Sequence, residues 1–209
     1  MSHSVFDASG CRKYLLAKER RAFVRAALRQ EQQVASFCLT IAMTGARISE
    51  VLALKSTQID FANGAIVFES LKRRRKLVFR AVPVPRQLLA LLSESCERTD
   101  GSGRLWPWCR TTAWKRIKRV MFDAEIGEQF GKPKALRHGF AVDACQKGVS
   151  LNVVQRWLGH ARLETTAIYA NALGKEERDL AKRTWHIWNE SLGSTDACRD
   201  RATADSRSL

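Results

Sequence analysis

Residues 157–170 read WLGHARLETTAIYA, and the fold assignment depends on this stretch. Gly159 ends an apolar segment, His160 follows it, and Tyr169 comes nine positions later. Taken alone, a tyrosine on an amphipathic segment is usually a packing residue, and a histidine beside a glycine is often part of a helix cap. The stretch therefore becomes informative only in combination with the rest of the chain.

Basic side chains in three upstream segments complete the pattern. Residues 44–54 read TGARISEVLAL, and Glu50 in this segment is close enough to Arg47 to orient its side chain. Residues 72–76 are an unbroken cationic run between two predicted strands, and residues 134–141 read KALRHGFA where a helix is predicted to start. The four cations that these segments place at turns or helix junctions are Arg47, Lys72, Lys134 and Arg137.

This set of residue types suits chemistry on a phosphodiester. Rejoining a broken strand without an energy source requires a covalent bond from a protein hydroxyl to the phosphate, and a tyrosine can form it. Planar arginines stabilise the negative charge that grows on the phosphoryl oxygens in the transition state. The departing sugar hydroxyl needs a proton from a lysine or a histidine. The pattern therefore predicts transesterification of a nucleic-acid strand.

Net charge points to the same class of partner. The 209 residues include 36 Lys and Arg against 21 Asp and Glu, which gives a formal net charge of +15. A surface this basic usually meets a polyanion, most often nucleic acid, although a generally basic protein would have the same composition. The six cysteines are too far apart for paired metal ligands. Neither a bilayer-length apolar run nor a secretory signal is visible, which predicts a cytoplasmic protein without membrane contact.

The four segments together resemble the tyrosine recombinases, also called the phage integrase family. The motifs of that family include a TGxRxSExLxL box, a β-hairpin lysine, an HxLRHxFA box and an LGHxxxxTTxxYA box. The order is the same here, with 23 positions from Arg137 to His160 and nine from His160 to Tyr169. The resemblance extends over residues 20–190 and implies an α+β, mainly α, catalytic domain.

The resemblance implies a role for each matching residue. Arg47 and Arg137 match the two arginines that bind the scissile phosphate, and His160 matches the histidine that hydrogen-bonds to it. Lys72 matches the general acid that protonates the 5′-hydroxyl leaving group. Tyr169 matches the nucleophile, which forms a 3′-phosphotyrosine. This mechanism implies no metal and no cofactor.

Two features depart from the family pattern. Lys134 stands where the family usually has histidine; lysine can bind phosphate, but it is a poorer acceptor of the tyrosine proton. Arg47 comes too early in the chain to leave room for the separate N-terminal helical domain of many members. The chain therefore resembles short members such as the invertases that flip fimbrial promoters. A piece of a longer protein, or a degenerate mobile element, would look the same.

Other basic residues divide into candidate DNA contacts and solvated charge. Within residues 72–76, Lys76 is the alternative general acid because the register of the turn is open. The basic side of the helix around Trp114 fits solvated surface as well as DNA contact. The predicted DNA-binding residues are Arg73, Arg74, Arg75, Lys76, Lys115, Lys118, Arg119 and His138.

Hydrophobic periodicity predicts the elements around these motifs. Residues 31–44 form a core-facing helix that ends at Gly45, and Ser49 caps the short helix that follows. Three antiparallel strands cover residues 59–61, 65–71 and 77–84. Further predictions are a helix from Leu88, an apolar helical stripe of Trp114, Ile117 and Met121, a loop over 127–134, helices over 136–147, 151–158, 163–172 and 175–192, and burial of Cys38 and Cys145.

The predicted organisation is a lead-in over residues 1–18, a catalytic domain over 19–192 and a disordered tail over 193–209. The predicted function is a bacterial site-specific DNA recombinase that acts on double-stranded DNA carrying a specific site. A homotetramer, accessory DNA-bending proteins and association with the nucleoid are expected with it. Two alternatives stay open: a catalytically impaired DNA-binding regulator of the same fold, and a topoisomerase with similar chemistry. The pattern does not choose between integration, excision, inversion and resolution.

Overall fold

A computed structural model describes residues 4–69, 78–97, 99 and 103–170. Helices dominate these residues, and one small sheet lies between the third and fourth helices. The helices are α1 (Ala17–Leu28), α2 (Gln32–Thr44), α3 (Ile48–Leu52), α4 (Arg86–Glu97), α5 (Arg110–Asp123), α6 (Pro133–Gln146), α7 (Leu151–Leu158) and α8 (Glu164–Ala167). The strands are β1 (Ile59–Asp60), β2 (Ala65–Glu69) and β3 (Phe79–Pro83), and 3-10 turns cover Ser56–Gln58 and Glu128–Phe130.

Helix α2 is the centre of the main core. It is buried around most of its circumference, as expected of a helix without a polar face, and it packs against α1, α4 and α6. Its buried threonines donate to carbonyls of the preceding turn, Thr40 to Ser36 and Thr44 to Thr40. These bonds satisfy hydroxyls that would otherwise be costly to bury.

The sheet has the order β1-β2-β3 and is antiparallel throughout. Ala65 pairs with Pro83 and Glu69 with Phe79, so the far ends of β2 and β3 lead into residues 70–77. In β3 the inward side chains are Arg80 and Val82. The predicted three-stranded antiparallel sheet is confirmed.

Residues 4–16 pack against the helices that carry the site. Val5 and Tyr14 are buried in a second cluster with side chains of α6 and α7 and with Tyr169. The chain approaches α6 so closely that a Cβ at Gly139 would lie 3.0 Å from the carbonyl oxygen of Leu15. The segment predicted as a lead-in therefore contributes to the packing around the tyrosine.

Five local predictions were wrong. The helix predicted over 163–172 is the short α8, which ends at Ala167. Arg47, rather than Ser49, is the N-cap of α3, and Ser49 lies inside the helix. The expected loop over 127–134 contains a 3-10 turn and the start of α6, because Pro133 is well suited to the first turn of a helix. The remaining two errors concern burial. Trp114 is 40% exposed, and the core positions beside Ile117 and Met121 are occupied by Ala113 and Val120. Cys145 is only partly buried, although Cys38 is buried as predicted.

Several predictions concern residues outside the described part of the chain. Lys72, Lys76 and the three arginines between them belong to this group, as do the helix over 175–192 and the tail over 193–209. The domain boundaries stay predictions. Within the part that the structure describes, none of the helices has the length and apolarity needed to cross a bilayer.

Candidate active site

A cleft of about 650 Å³ collects five of the six predicted catalytic residues. It lies where the α2–α3 junction, the start of α6 and the segment after α7 meet. Lys72, the sixth, is outside the described residues. The predicted catalytic residues that line the cleft are Arg47, Lys134, Arg137, His160 and Tyr169.

Gly45 makes the sharp junction that places Arg47 at the cleft. It ends α2 with a positive φ of 62°, and a Cβ there would lie 2.6 Å from Cδ1 of Phe140. Glycine is thus required both for the left-handed backbone and for close contact with α6. Arg47 follows as the N-cap of α3, with an extended backbone that turns its side chain towards the cleft.

The Glu50 carboxylate orients Arg47 as the sequence suggested. Its oxygens accept from the Arg47 backbone N–H at 2.8 Å and from Nη1 at 2.7 Å. Glu50 is only 4% exposed, so the pair is not an ordinary surface pair. Burial alone would raise the pKa of Glu50, but Arg80 and Arg47 together lower it below its usual value. The carboxylate is therefore charged near neutral pH.

Arg80 is a part of the site that the sequence analysis missed. Its Nη2 donates to Oε2 of Glu50 at 2.7 Å, and its Nε donates to the carbonyl oxygen of Trp157 at 2.8 Å. It thereby connects β3 to α3 and to the last turn of α7. The available signal was its strand position, because alternation places Arg80 on the same inward face as Val82. A buried arginine at such a position needs a carboxylate partner.

Arg137 is held on the floor of the cleft by two main-chain carbonyls. Nη1 donates to Gly45 at 2.7 Å and Nη2 donates to Leu158 at 2.8 Å. Burial, with repulsion from Arg47, lowers the pKa of Arg137 to about 10, which leaves it charged at neutral pH. This fixed cation joins the end of α2 to the end of α7.

His160 enters the cleft directly after the glycine that ends α7. Gly159 adopts a left-handed φ of 65°, and the His160 backbone N–H returns to the carbonyl of Gln155. Its Nδ1 lies 2.9 Å from Oγ1 of Thr166, which is fully buried. Burial and the nearby arginines lower the pKa of His160 to about 3. If Nδ1 accepts from the threonine hydroxyl, the neutral ring presents Nε2–H as a donor to an anion.

Tyr169 follows α8, lines the cleft and is 2% exposed. Its ring stacks on that of His160 at a centroid distance of 6.3 Å and an angle of 16°. Burial raises the pKa of Tyr169 to about 12, so the phenol is protonated at neutral pH. A nucleophile at this position needs a proton acceptor.

The hydrogen-bond partner of that hydroxyl is His138, whose Nδ1 lies 2.8 Å from Tyr169 Oη. The sequence analysis grouped His138 with the DNA contacts, but this side chain is buried, at 7% exposure, where it lines the cleft. Burial, with the positive charge of Lys134 and Arg137, lowers the pKa of His138 to about 4. His138 is therefore a neutral imidazole at neutral pH.

Further cations and one aromatic ring extend the cleft towards α5. Arg110 and Trp114 line it, and the ammonium of Lys118 lies 5.2 Å from the Trp114 ring. Arg119 is paired with Asp123 at 3.0 Å, and Lys115 is exposed. The sequence analysis did not identify the other cleft-lining cations, which are Lys13, Arg110 and Lys132.

Two arginines, a neutral histidine and a protonated tyrosine lie around one basic cleft, and this set of groups can bind a phosphate beside a hydroxyl. The chain belongs to the phage integrase family, which matches residues 13–176. The family and the fold predicted from the sequence motifs are confirmed.

Individual relatives agree with this assignment. The chain is 31% identical over 153 residues to the tyrosine recombinase XerA of Pyrococcus furiosus, covering 67% of this chain and 50% of that protein. The solved structure of the site-specific recombinase XerH in a post-cleavage complex with its palindromic difH substrate is similar, with 26% identity and a TM-score of 0.71 over 83% of this chain and 53% of that one. The catalytic domain of bacteriophage HP1 integrase shares the fold, with 22% identity and a TM-score of 0.59 over 81% of this chain and 93% of that one. The chain spans about half the length of the curated relatives it matches.

Proposed function

We propose that this chain is the catalytic part of a site-specific DNA recombinase that cleaves and rejoins strands through a 3′-phosphotyrosine at Tyr169. The observation that carries the proposal is the meeting of the Tyr169 hydroxyl with Arg47, Arg137 and His160 at one basic cleft. The net charge of +15 supports DNA as the substrate. The relatives named tyrosine recombinases support recombination as the outcome.

The proposed reaction combines the positions of these groups with the role that the family resemblance gives to Lys72. Oη of Tyr169 attacks the scissile phosphorus, the bond to the 5′ oxygen breaks, and that oxygen takes a proton from Lys72. Arg47 and Arg137 compensate the negative charge of the transition state, and His160 donates a hydrogen bond to a phosphoryl oxygen. Ligation is the reverse, with a 5′-hydroxyl of another strand attacking the phosphotyrosine.

The proposed partners are double-stranded DNA with a specific recombination site, further copies of the chain in a tetramer, and accessory DNA-bending proteins. The XerH structure supports the first of these, since that relative is bound to a recombination substrate. A bacterial cytoplasmic location on the nucleoid is proposed with them. A regulator of the same fold without catalysis is less favoured, because the site retains the nucleophile and both arginines.

The test combines site selection with trapping. Sequences bound by the chain are selected from a random DNA pool, and a duplex with the selected sequence is nicked close to the cleavage position so that the released fragment diffuses away. We expect a covalent protein–DNA adduct that is absent with Tyr169→Phe. Binding without any adduct would favour the regulator, and relaxation of supercoils without sequence preference would favour a topoisomerase.

A further inference from the structure

We propose that His138, through Nδ1, accepts the proton of Tyr169 in this chain, in place of Lys134, which is the poorer acceptor. The proposal rests on the proposed function, since it concerns the attack of Tyr169 on a phosphate. It assigns a catalytic contact to a histidine that the sequence motifs had grouped with DNA contacts.

The geometry places His138 directly on the reacting atom. Its Nδ1 lies 2.8 Å from Tyr169 Oη, within the range of a good hydrogen bond. The two rings are tilted at 55° with centroids 5.5 Å apart. Both side chains are buried, so the bond is made in a water-poor environment where its alignment is held by packing.

The direction of the hydrogen bond follows from the chemistry of the two groups. A phenol is a stronger acid than a neutral imidazole N–H, so the hydroxyl donates and Nδ1 accepts. Among the described residues, Nε2 of His138 is the one buried side-chain nitrogen or oxygen without a hydrogen-bond partner. No second bond therefore competes to place the proton on Nδ1, and the lone pair of Nδ1 faces the nucleophile.

The charges around His138 keep it neutral before the reaction. Burial is the main reason that its pKa is low, and the positive charges of Lys134, Arg137 and Lys13 lower it further. The ring of His160 also stacks on the ring of Tyr169. A neutral imidazole is the form that can accept a proton, and an incoming phosphate would offset the surrounding positive charge.

Lys134 is unsuited to the same task. It lines the cleft on the first turn of α6 and acts on His138 as a positive charge. An ammonium group has three donors and no lone pair, so in this form it can bind a phosphate oxygen but cannot take a proton. The substitution of lysine for the usual histidine thus leaves His138 as the acceptor in contact with Tyr169.

The proton transfer is coupled to the attack. The Oη–H bond of Tyr169 breaks as the Nδ1–H bond of His138 forms, while the Oη–P bond forms and the bond from phosphorus to the 5′ oxygen breaks. Transfer before attack is unfavourable, since burial raises the pKa of the phenol and lowers that of the imidazole. In ligation the imidazolium returns the proton to the departing tyrosine oxygen.

The test compares His138→Asn with the wild-type chain and with Lys134→Met, on the nicked duplex carrying the selected sequence. Asparagine keeps an acceptor near the position of Nδ1 but does not take up a proton. We expect the rate of adduct formation with His138→Asn to fall about 100-fold, with DNA affinity within about twofold. The rate of this variant should then rise about tenfold per pH unit between roughly pH 7 and pH 9, because hydroxide replaces the imidazole.

The wild-type rate should be nearly flat over this range, since His138 is already neutral. Lys134→Met should lower the rate by removing a phosphate contact yet keep the flat profile. A His138→Asn rate within about threefold of wild type, or a pH-dependent rise seen with Lys134→Met instead, would overturn the proposal. Absence of any wild-type adduct on bound DNA would overturn the proposed function and not the assignment of the acceptor alone.

A measurement without substitution at His138 covers the case in which His138→Asn fails to fold. Nitrogen-15 NMR of the free wild-type chain should show His138 with an unprotonated Nδ1 and a protonated Nε2 at pH 7. Tyr169→Phe should shift the Nδ1 resonance through loss of the hydrogen bond. A protonated Nδ1 in the wild-type chain would contradict the proposal.

Discussion

Tyr169 shows how the surroundings of one residue determine its chemistry. Burial keeps its hydroxyl protonated, while the stacked His160 and the hydrogen-bonded His138 hold the ring and the oxygen in place. In the proposed reaction, the cost of this arrangement is a weak nucleophile at rest. Its benefit is that the hydroxyl already contacts a proton acceptor and reacts only when a phosphate is present.

Replacement of Arg137 by lysine should separate catalysis from binding. Lysine can preserve the charge, but its single ammonium nitrogen lacks the planar fork with which Arg137 donates to the carbonyls of Gly45 and Leu158 from two nitrogens. We expect adduct formation on the nicked duplex to fall by about 100- to 1000-fold, and DNA affinity to change far less. Equal losses of rate and affinity would contradict a catalytic role.

Replacement of Lys72 by alanine should be rescued by changing the leaving group. A substrate with a 5′-thiol in place of the 5′-hydroxyl needs little protonation, so it should react with Lys72→Ala at close to the wild-type rate. The matched control is Lys76→Ala, which should show no selective gain on the thiol substrate. Rescue of Lys76→Ala but not of Lys72→Ala would assign the general acid to Lys76.

At the scale of elements, the last turn of α7 is the meeting point of the site. The carbonyl of Trp157 accepts from Arg80 and that of Leu158 accepts from Arg137. These carbonyls lie at the negative end of the helix dipole, where cations are favoured. Because β3 and α6 both contact this turn, the end of α7 is held in place, and it positions His160, which comes two residues after Leu158.

Substitution of Gly45, at the α2–α3 junction, should destabilise the fold more than substitution of a glycine that has a left-handed backbone but no close neighbour. Gly45→Ala adds left-handed strain and a Cβ 2.6 Å from Phe140, whereas Gly148→Ala, at φ 79°, meets nothing within 4 Å. Chemical denaturation should give a loss in free energy of unfolding of about 3 kcal/mol for Gly45→Ala and about 1 kcal/mol for Gly148→Ala. Equal losses in the two variants would show that the close contact between Gly45 and α6 adds nothing to the cost of the substitution.

The buried Glu50 carboxylate should make stability depend on pH. Its folded-state pKa is lowered, so its contribution is present above the unfolded pKa of about 4.3 and is lost as the pH falls through the folded value. The free energy of unfolding of the wild-type chain should therefore decrease below about pH 5. Glu50→Gln should be less stable at pH 7 and show a shallower decrease. The exposed control Glu97→Gln should keep the wild-type slope, and an unchanged slope for Glu50→Gln would contradict this account.

For the whole molecule, the distribution of charge matters more than its sum. Part of the net charge of +15 is concentrated at the cleft that Arg47 and Arg137 line. The other cations that line it are Lys13, Arg110, Lys132 and Lys134. In the proposed complex, the strand of a polyanion would meet these basic side chains along the cleft between Tyr169 and α5. Its binding should be strongly dependent on salt.

The salt dependence of DNA binding should identify which cations of α5 contact phosphate. Lys118 lies over the cleft-lining Trp114, whereas Arg119 is already paired with Asp123. Lys118→Gln should therefore reduce the slope of log affinity against log salt by about 0.9, and Arg119→Gln should reduce it less. A larger effect of Arg119→Gln, measured by titration at several salt concentrations, would place the DNA on the other side of the helix.

The sequence alone determined the family, the sheet and five of the residues that line the cleft. Motif order and spacing are local properties of the chain, and the alternation and helical periods that surround them reflect burial of apolar side chains. The sequence analysis was wrong for side chains at the edge of a buried helix face, such as Trp114, and at the end of a helix, such as Ser49.

Only the tertiary structure decided which residues act on one another. Arg80 reaches Glu50 across 30 positions of sequence, and His138 reaches Tyr169 across 31. No local period encodes such pairs, because they depend on how β3, α6 and α8 are packed around the end of α7. The burial that this packing produces also keeps the tyrosine protonated and its histidine partner neutral. The acceptor of the tyrosine proton is thus a property of the packed site and not of any one motif.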